Sequence, residues 1–180
     1  KLKNIPLIAL TDERDTIRRI SSTAELAFGL TLSGIRHIVR SHKGAMLGEW
    51  DYTKYIGRQL NGLKIGIIGF GRLGSMFAKY SKAFDSEILV YDPYKNVADT
   101  DVKQLDNLDY LFANSDVISI HVHVSDETLG MLDSAAFKLM KKDVLIVNTA
   151  RGDIINEVAL VEFLKKNPAA RAAVDVLADE

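Results

Sequence analysis

The chain has 180 residues and a net charge of −1, with 23 basic against 24 acidic side chains, so it can bury one sizeable core without covalent staples. Its near-neutral balance excludes the broad positive field that nucleic acid or an anionic membrane surface would need. The absence of cysteine excludes a disulfide framework, a thiolate zinc site and a cysteine nucleophile.

In chain order, Lys1-Leu2-Lys3-Asn4-Ile5-Pro6 lacks the long apolar run of a signal peptide, and no later stretch is apolar enough to span a bilayer. The expectation is a soluble, cytoplasmic protein that takes a small, discrete ligand. Residues 5–10 read as a strand, and the polar stretch that ends near Ser21 reads as a loop. Ser22-Thr23-Ala24-Glu25 has the form of a capping box, in which the serine oxygen accepts from the Glu25 amide while the carboxylate reaches back. A helix is expected from there. Its apolar residues, Leu26, Phe28, Leu30, Leu32, Ile35 and Ile38, occupy more than one face, which predicts packing between domains or subunits. Residues 44–62, with the only tryptophan, Trp50, beside Tyr52 and Tyr55, show no clean period and read as an irregular connector holding a short helix.

From Leu63 onward, β-branched runs alternate with helical periods, the pattern of repeated βαβ units and a parallel sheet. The expected strands are Lys64–Ile68, Glu87–Tyr91, 117–122, 143–147 and 172–176. Leu73, Met76, Phe77, Tyr80 and Phe84 fall at helical spacing and predict one apolar stripe against the sheet. Asp106, Asp133 and Asn156 each precede a helical run and are read as N-caps.

The first strand runs directly into Gly69-Phe70-Gly71-Arg72-Leu73-Gly74, and a helix follows. A GxGxxG triplet alone is weak, but its place between strand and helix is where the mechanism needs it. Gly69 permits the tight turn, Gly71 lets the backbone approach a pyrophosphate, and Gly74 allows close helix–strand packing. Arg72 is placed for a direct phosphate contact. The second strand ends at Asp92, about 20 residues past the glycines, where a carboxylate accepts from a ribose 2′-hydroxyl and repels a 2′-phosphate. That points to NAD rather than NADP, with Lys95 the nearby basic group that argues the other way. A bland reading makes Asp92 a turn residue before Pro93.

Several stretches together resemble the D-isomer-specific 2-hydroxyacid dehydrogenases, the family of D-lactate, D-3-phosphoglycerate, glyoxylate/hydroxypyruvate and formate dehydrogenases. They are Thr23-Ala24-Glu25, the glycine motif with Arg72, Tyr91-Asp92-Pro93, Ile118-Ser119-Ile120-His121, Glu127-Thr128, Asn148-Thr149-Ala150-Arg151-Gly152, and Asp175 followed by Glu180. The resemblance implies a Rossmann-type α/β fold, a doubly wound parallel sheet in three α/β/α layers. Residues 22–180 would form the NAD-binding domain, and residues 1–21 a remnant of a substrate domain with its crossover.

It also implies reversible hydride transfer between NAD(H) and a 2-hydroxy or 2-keto acid. Arg151 would grip the substrate carboxylate through its bidentate fork, and Glu180 would orient a histidine and stabilise its protonated form. Gly69, Gly71, Arg72, Leu73, Gly74, Asp92, His121, Thr149, Ala150 and Asp175 would hold the cofactor, Asp175 through the nicotinamide carboxamide. Taken singly, Arg151 reads better as a solvated loop arginine and Glu180 as a chain-end carboxylate; taken together, at this spacing and beside a fitting nucleotide motif, they read as functional. Asp175 is harder to dismiss, because a carboxylate inside an apolar strand is costly unless paired or functional.

The resemblance places the acid–base histidine beyond Glu180. None of His37, His42, His121 and His123 occupies that position, so this chain is expected to bind cofactor and hardly turn over. His121 and His123 alternate on one expected strand and would face opposite ways, which argues against a two-histidine metal site. His123 stands where the family often has proline. A homodimer through the cofactor domain, using residues 22–38 and the connector, is a further implication, and the helix's several apolar faces agree with it. Two alternatives remain: a non-catalytic, NAD-responsive interaction protein like the family's corepressors, and an unrelated nucleotide-binding module such as one for S-adenosylmethionine. The Asn148-to-Gly152 segment speaks against the second.

Overall fold

The computed structural model describes residues 14–178; the strand expected over 5–10 and Glu180 lie outside them. The stretch read as a loop before Ser21 holds a short helix, α1 (Arg14–Arg19). Asp15 in its first turn and Arg18 and Arg19 in its last complement the helix dipole. Helix α2 (Ser22–Ile35) starts where expected, but Ser21 is its N-cap and the Ser21 hydroxyl donates to the Glu25 carboxylate instead of capping a backbone amide. The capping box therefore does not form in the register read from the sequence. His37 takes a left-handed conformation, φ 57°, which breaks the chain direction. Ile38 consequently belongs to a separate helix, α3 (Ile38–Met46), and not to α2. A 3₁₀ turn, Tyr52–Tyr55, follows, capped by Asp51.

Strand β1 (Lys64–Ile68) pairs in parallel with β2 (Glu87–Tyr91) on one side. Helix α4 (Arg72–Lys82) connects the two. Outside β2 lies β3 (Lys103–Leu105), a strand the sequence did not betray: three residues, one of them apolar, carry no readable alternation. Helix α5 (Leu108–Asn114) leads to β4 (Val117–Ile120), which pairs with the other edge of β1. Helix α6 (Ser134–Leu139), β5 (Leu145–Asn148), helix α7 (Glu157–Lys166) and β6 (Arg171–Val174) complete an all-parallel sheet of order β3-β2-β1-β4-β5-β6. The order reverses between β1 and β4, the place where such sheets open a crevice at their carboxyl ends.

Asp133 accepts from the amides of Ala135 and Ala136, and Asn156 from that of Ala159, as N-caps do. At α5 the cap is Asn107, not Asp106; its carboxamide oxygen reaches the amides of Asp109 and Tyr110.

Alternation along the strands feeds two cores. Leu145 and Val147 join Ile67, Phe77 and Val90 on one face, covered by α2 and α4. Ile146 joins Ile118, Leu111 and Phe137 on the other, beside α5, α6 and α7. The α4 stripe does not meet the sheet along its whole length. Phe77 is fully buried there, a contact whose truncation costs about 3–5 kcal/mol. Tyr80 and Phe84 instead pack on the Phe28 ring of α2, with centroids at 5.9 and 5.2 Å, because the helix has ended at Lys82 before Phe84.

At the amino edge of the sheet, the buried Asp116 accepts from Arg58, Lys141 and the Lys64 amide at 2.7, 2.9 and 2.8 Å. Burial pushes its pKa upward, but these donors outweigh burial and hold the carboxyl below its ordinary range. Among the described residues no helix is long and apolar enough to cross a membrane.

Candidate functional site

The turn between β1 and α4 is built on glycine because nothing larger fits. Gly69 sits at φ 87°, and a Cβ there would lie 2.6 Å from Val122 Cγ1 and 2.7 Å from the His121 carbonyl oxygen. A Cβ on Gly74 would lie 2.1 Å from the Gly69 carbonyl oxygen, so the first turn of α4 rests directly on the strand end. Gly71 differs: a Cβ there would meet nothing within 4 Å. It is the N-cap of α4 and supplies no side-chain cap, leaving open space at a helix N-terminus where an anion is favoured. Arg72 is engaged elsewhere: its guanidinium donates to the Ile20 carbonyl, and it does not line the cleft over the strand ends. Leu73 is half-buried in the first turn of α4.

Asp92, one residue past β2, makes the local bond of a turn residue and a second bond to the glycine turn. Its Oδ1 accepts from the Tyr94 amide at 3.0 Å, a local turn bond, and its Oδ2 accepts from the Phe70 amide at 2.8 Å. The second bond ties the end of β2 to the glycine turn. Lys95 donates from Nζ to the Phe70 carbonyl at 2.7 Å.

Gly69, Gly71, Asp92, His121 and Thr128 line one cleft of about 750 Å³ over the carboxyl ends of the central strands. His121 Nε2 lies 2.9 Å from Ser119 Oγ, and its ring centroid is 5.1 Å from that of Phe77. Burial pushes its pKa down to about 4, so the imidazole is neutral near pH 7. The expectation that His121 and His123 face opposite ways fails. Strand β4 ends at Ile120, the two-residue alternation stops with it, and both histidines line the same cleft. Among the described residues there is no group of three side chains able to hold a metal ion.

A second set of residues gathers at the carboxyl ends of β5 and β6. Asn148 bends the chain after β5: its Oδ1 accepts from the Ala150 amide at 3.0 Å and its Nδ2 donates to the Arg151 carbonyl at 2.8 Å. Sequence reasoning quoted Asn148 only as part of a motif and gave its side chain no task. A strand-ending asparagine followed by small residues was the available signal. Thr149 is buried, and its Oγ1 finds no hydrogen-bond partner among the described residues. Ala150 is half-buried and Arg151 exposed, with Nη1 donating to the Ala150 carbonyl at 2.6 Å.

Asp175 lies beyond the end of β6 at Val174 and is exposed, so the cost of a carboxylate inside an apolar strand does not arise. Its amide donates to the Asn148 carbonyl at 2.9 Å, which brings it beside the Arg151 loop. A Cβ on Gly152 would lie 1.9 Å from the Leu177 carbonyl carbon, so the two chain segments cross here with no side chain between them. None of Thr149, Ala150, Arg151 or Asp175 lines the central cleft.

The carboxyl edge from β2 to β5 spans three strand spacings, about 14 Å. It offers open backbone at Gly71, a carboxylate at Asp92 and a buried unsatisfied hydroxyl at Thr149. An elongated ligand with a central anionic group and polar ends fits that distribution, and a dinucleotide is such a ligand.

Comparison with known proteins agrees. The profile of the D-isomer specific 2-hydroxyacid dehydrogenase, NAD binding domain, matches residues 28–180. D-3-phosphoglycerate dehydrogenase of Archaeoglobus fulgidus is 40% identical over 161 residues, 88% of this chain and 31% of that protein. Hydroxypyruvate reductase of Thermotoga maritima is 41% identical over 155 residues, 86% of this chain and 50% of that one. Among solved structures, the NAD-dependent formate dehydrogenase from Staphylococcus aureus in complex with NAD superposes with a TM-score of 0.84 at 33% identity, covering 89% of this chain and 49% of that one. The chain thus spans a third to a half of the length of these relatives.

Proposed function

The chain belongs to the D-isomer-specific 2-hydroxyacid dehydrogenases as their NAD-binding domain, and from that premise we propose that the whole protein transfers hydride between NAD(H) and a small 2-hydroxy or 2-keto acid. One observation carries the reading: the glycine turn braced by Asp92 and the Asn148-shaped loop bearing Arg151 stand on one carboxyl edge of a single parallel sheet. Bound NAD would supply the hydride acceptor or donor.

The residues of this chain would do the rest. Gly69, Gly71 and Gly74, with Leu73 in the first turn of α4, leave the diphosphate its space, and Arg72 adds positive charge beside it. Asp92 has a carboxylate at the end of β2 to accept from the ribose hydroxyls, and neutral His121 lines the same cleft without adding charge. Thr149 gives its unsatisfied hydroxyl, Ala150 its small side chain, and Asp175 a carboxylate for the nicotinamide carboxamide. Arg151, exposed and hydrogen-bonded to the main-chain oxygen of Ala150, can turn to a substrate carboxylate. Glu180 would support the acid–base histidine, and residues 1–21 would belong with the substrate domain.

We assign the protein to the cytoplasm and expect a homodimer formed through the cofactor domain. Trp50, Tyr52 and Ile56 are 92%, 78% and 68% exposed and border a groove of about 760 Å³ between α3 and the 3₁₀ turn. So much clustered apolar surface supports an interface. Calorimetric titration with NAD and NADP tests the cofactor reading, followed by a panel of keto acids with NADH and the full-length protein. Micromolar NAD binding with weaker NADP binding and turnover of at least one keto acid are expected. Comparable affinity for the two nucleotides would undo the role given to Asp92. NAD-dependent association without any keto-acid reduction would favour a non-catalytic interaction protein.

A further inference from the structure

We infer that Lys95 is a positioning residue that fixes the glycine turn, and that it is not a ligand for a 2′-phosphate. The inference rests on the reading of this domain as a dinucleotide site. Position alone would suggest the opposite, since a lysine three residues past the ribose-binding carboxylate is where a cation for NADP could stand. The geometry gives it another task.

Phe70 lies between two glycines, Gly69 and Gly71, each with more conformational freedom than any other residue. A turn of that composition needs an external restraint to hold one shape. Phe70 is gripped at both ends of its main chain from the loop after β2: its amide donates to Asp92 Oδ2 at 2.8 Å and its carbonyl accepts from Lys95 Nζ at 2.7 Å. The Lys95 ammonium also stands 5.3 Å from the centroid of the Phe70 ring, which is itself buried. A cation held by a carbonyl and a ring face is engaged, not waiting for a phosphate.

The loop that carries this grip is held in turn by β3. Gln104 Nε2 donates to the Lys95 carbonyl at 2.6 Å and to the Asp92 carbonyl at 3.3 Å, while its Oε1 accepts from the Val97 amide at 2.8 Å. One side chain on the edge strand therefore sets the backbone of both residues that hold Phe70. The ribose carboxylate and the diphosphate turn are built as one unit, so a change at Lys95 should reach every ligand that uses the turn.

The test compares Lys95→Met and Lys95→Arg with the unsubstituted chain, by calorimetric titration of NAD and NADP and by hydrogen exchange at the Phe70 and Gly71 amides. Loss of one charge-assisted hydrogen bond should weaken NAD about tenfold. NADP should weaken by the same factor, leaving their ratio unchanged, and exchange in the turn should quicken. Lys95→Arg, which keeps a cationic donor, should recover most of the affinity and protection. A selective loss of NADP affinity in Lys95→Met would overturn the inference, and so would unchanged NAD affinity, whatever the exchange rates do. If the unsubstituted chain bound neither nucleotide, the dinucleotide reading would fail by itself. The exchange rates would then still decide whether Lys95 fixes the turn.

Discussion

The two ends of the carboxyl edge are prepared to different degrees. Around the glycine turn, each polar group that matters already has a partner inside the fold: Phe70 is held by Asp92 and Lys95, Lys95 and Asp92 by Gln104, and His121 by Ser119. At the ends of β5 and β6 the backbone is shaped, by Asn148, but the side chains assigned to chemistry are not engaged. Thr149 Oγ1 is unsatisfied, Arg151 is exposed with a main-chain bond, and Asp175 is exposed beyond its strand. A binding half can be preorganised by its own sheet, whereas a reacting half keeps its groups free for the molecules that arrive.

The largest effect expected from this contrast is at Arg151. In the full-length protein, Arg151→Met should lower kcat/KM for keto-acid reduction by about 10²–10³-fold, the range for removing one donor to developing negative charge. The melting temperature of the chain should hardly move, because the side chain is exposed and such substitutions stay within about 0.5 kcal/mol. Steady-state kinetics beside a thermal melt would check both. A large loss of stability would mean that the reacting half is as structural as the binding half.

Next in size is the glycine pair. Gly74→Ala drives a methyl to 2.1 Å from the Gly69 carbonyl and should cost about 1–3 kcal/mol of stability, the usual penalty for overpacking. Gly71→Ala places its methyl in open space and should cost less than about 1 kcal/mol, yet NAD affinity should fall about tenfold or more because that space is the ligand's. Urea denaturation and NAD titration of both variants would separate fold from cleft. Equal losses of stability would erase the distinction drawn between the two glycines.

Why were these glycines legible in the sequence while much else was not? A glycine needed for a tight turn announces itself locally, and Lys64–Ile68 runs into it without interruption, so the strand and the turn could be read from order alone, whereas the bond by which Asp92 braces that turn could not. The strand β3 could not, because Lys103, Gln104 and Leu105 bear no period and acquire their position only by pairing with β2. The histidine orientation differs for a related reason: strand alternation holds only to Ile120, where the ladder stops. His37 broke the helix at a position with no glycine or proline to mark it. Asp175 reads as buried only if the last strand runs to Val176, and it ends at Val174. Thr149 is invisible to sequence in another way, since an unsatisfied hydroxyl exists only when the surrounding chain has closed over it.

A pH measurement sharpens the same contrast from the prepared side. Burial lowers the His121 pKa from 6.5 to about 4, so the unfolded chain binds a proton between those values while the folded chain does not. The sign follows: stability present above pH 6.5 is lost as pH falls from 6.5 towards 4, by about 2 kcal/mol at pH 5. His121→Asn removes this titration, and its stability should change less over that interval. Chemical denaturation at pH 7 and pH 5 would measure the difference between the slopes. Identical slopes would mean that the imidazole is not desolvated in the fold.

The smallest effect has the most telling sign. A buried hydroxyl without a partner costs the fold its desolvation, and Thr149→Val replaces it with a methyl of nearly the same shape. The unliganded chain should therefore become more stable, by about 1 kcal/mol. If the hydroxyl is kept because cofactor satisfies it, the same variant must bind NAD more weakly, about threefold to tenfold. The stabilisation conferred by a fixed excess of NAD would shrink accordingly. Paired thermal melts with and without NAD read both quantities: a higher melting temperature without ligand and a smaller shift with it. A variant less stable without ligand would show that Thr149 is already satisfied, and the two ends of the edge would then be equally prepared.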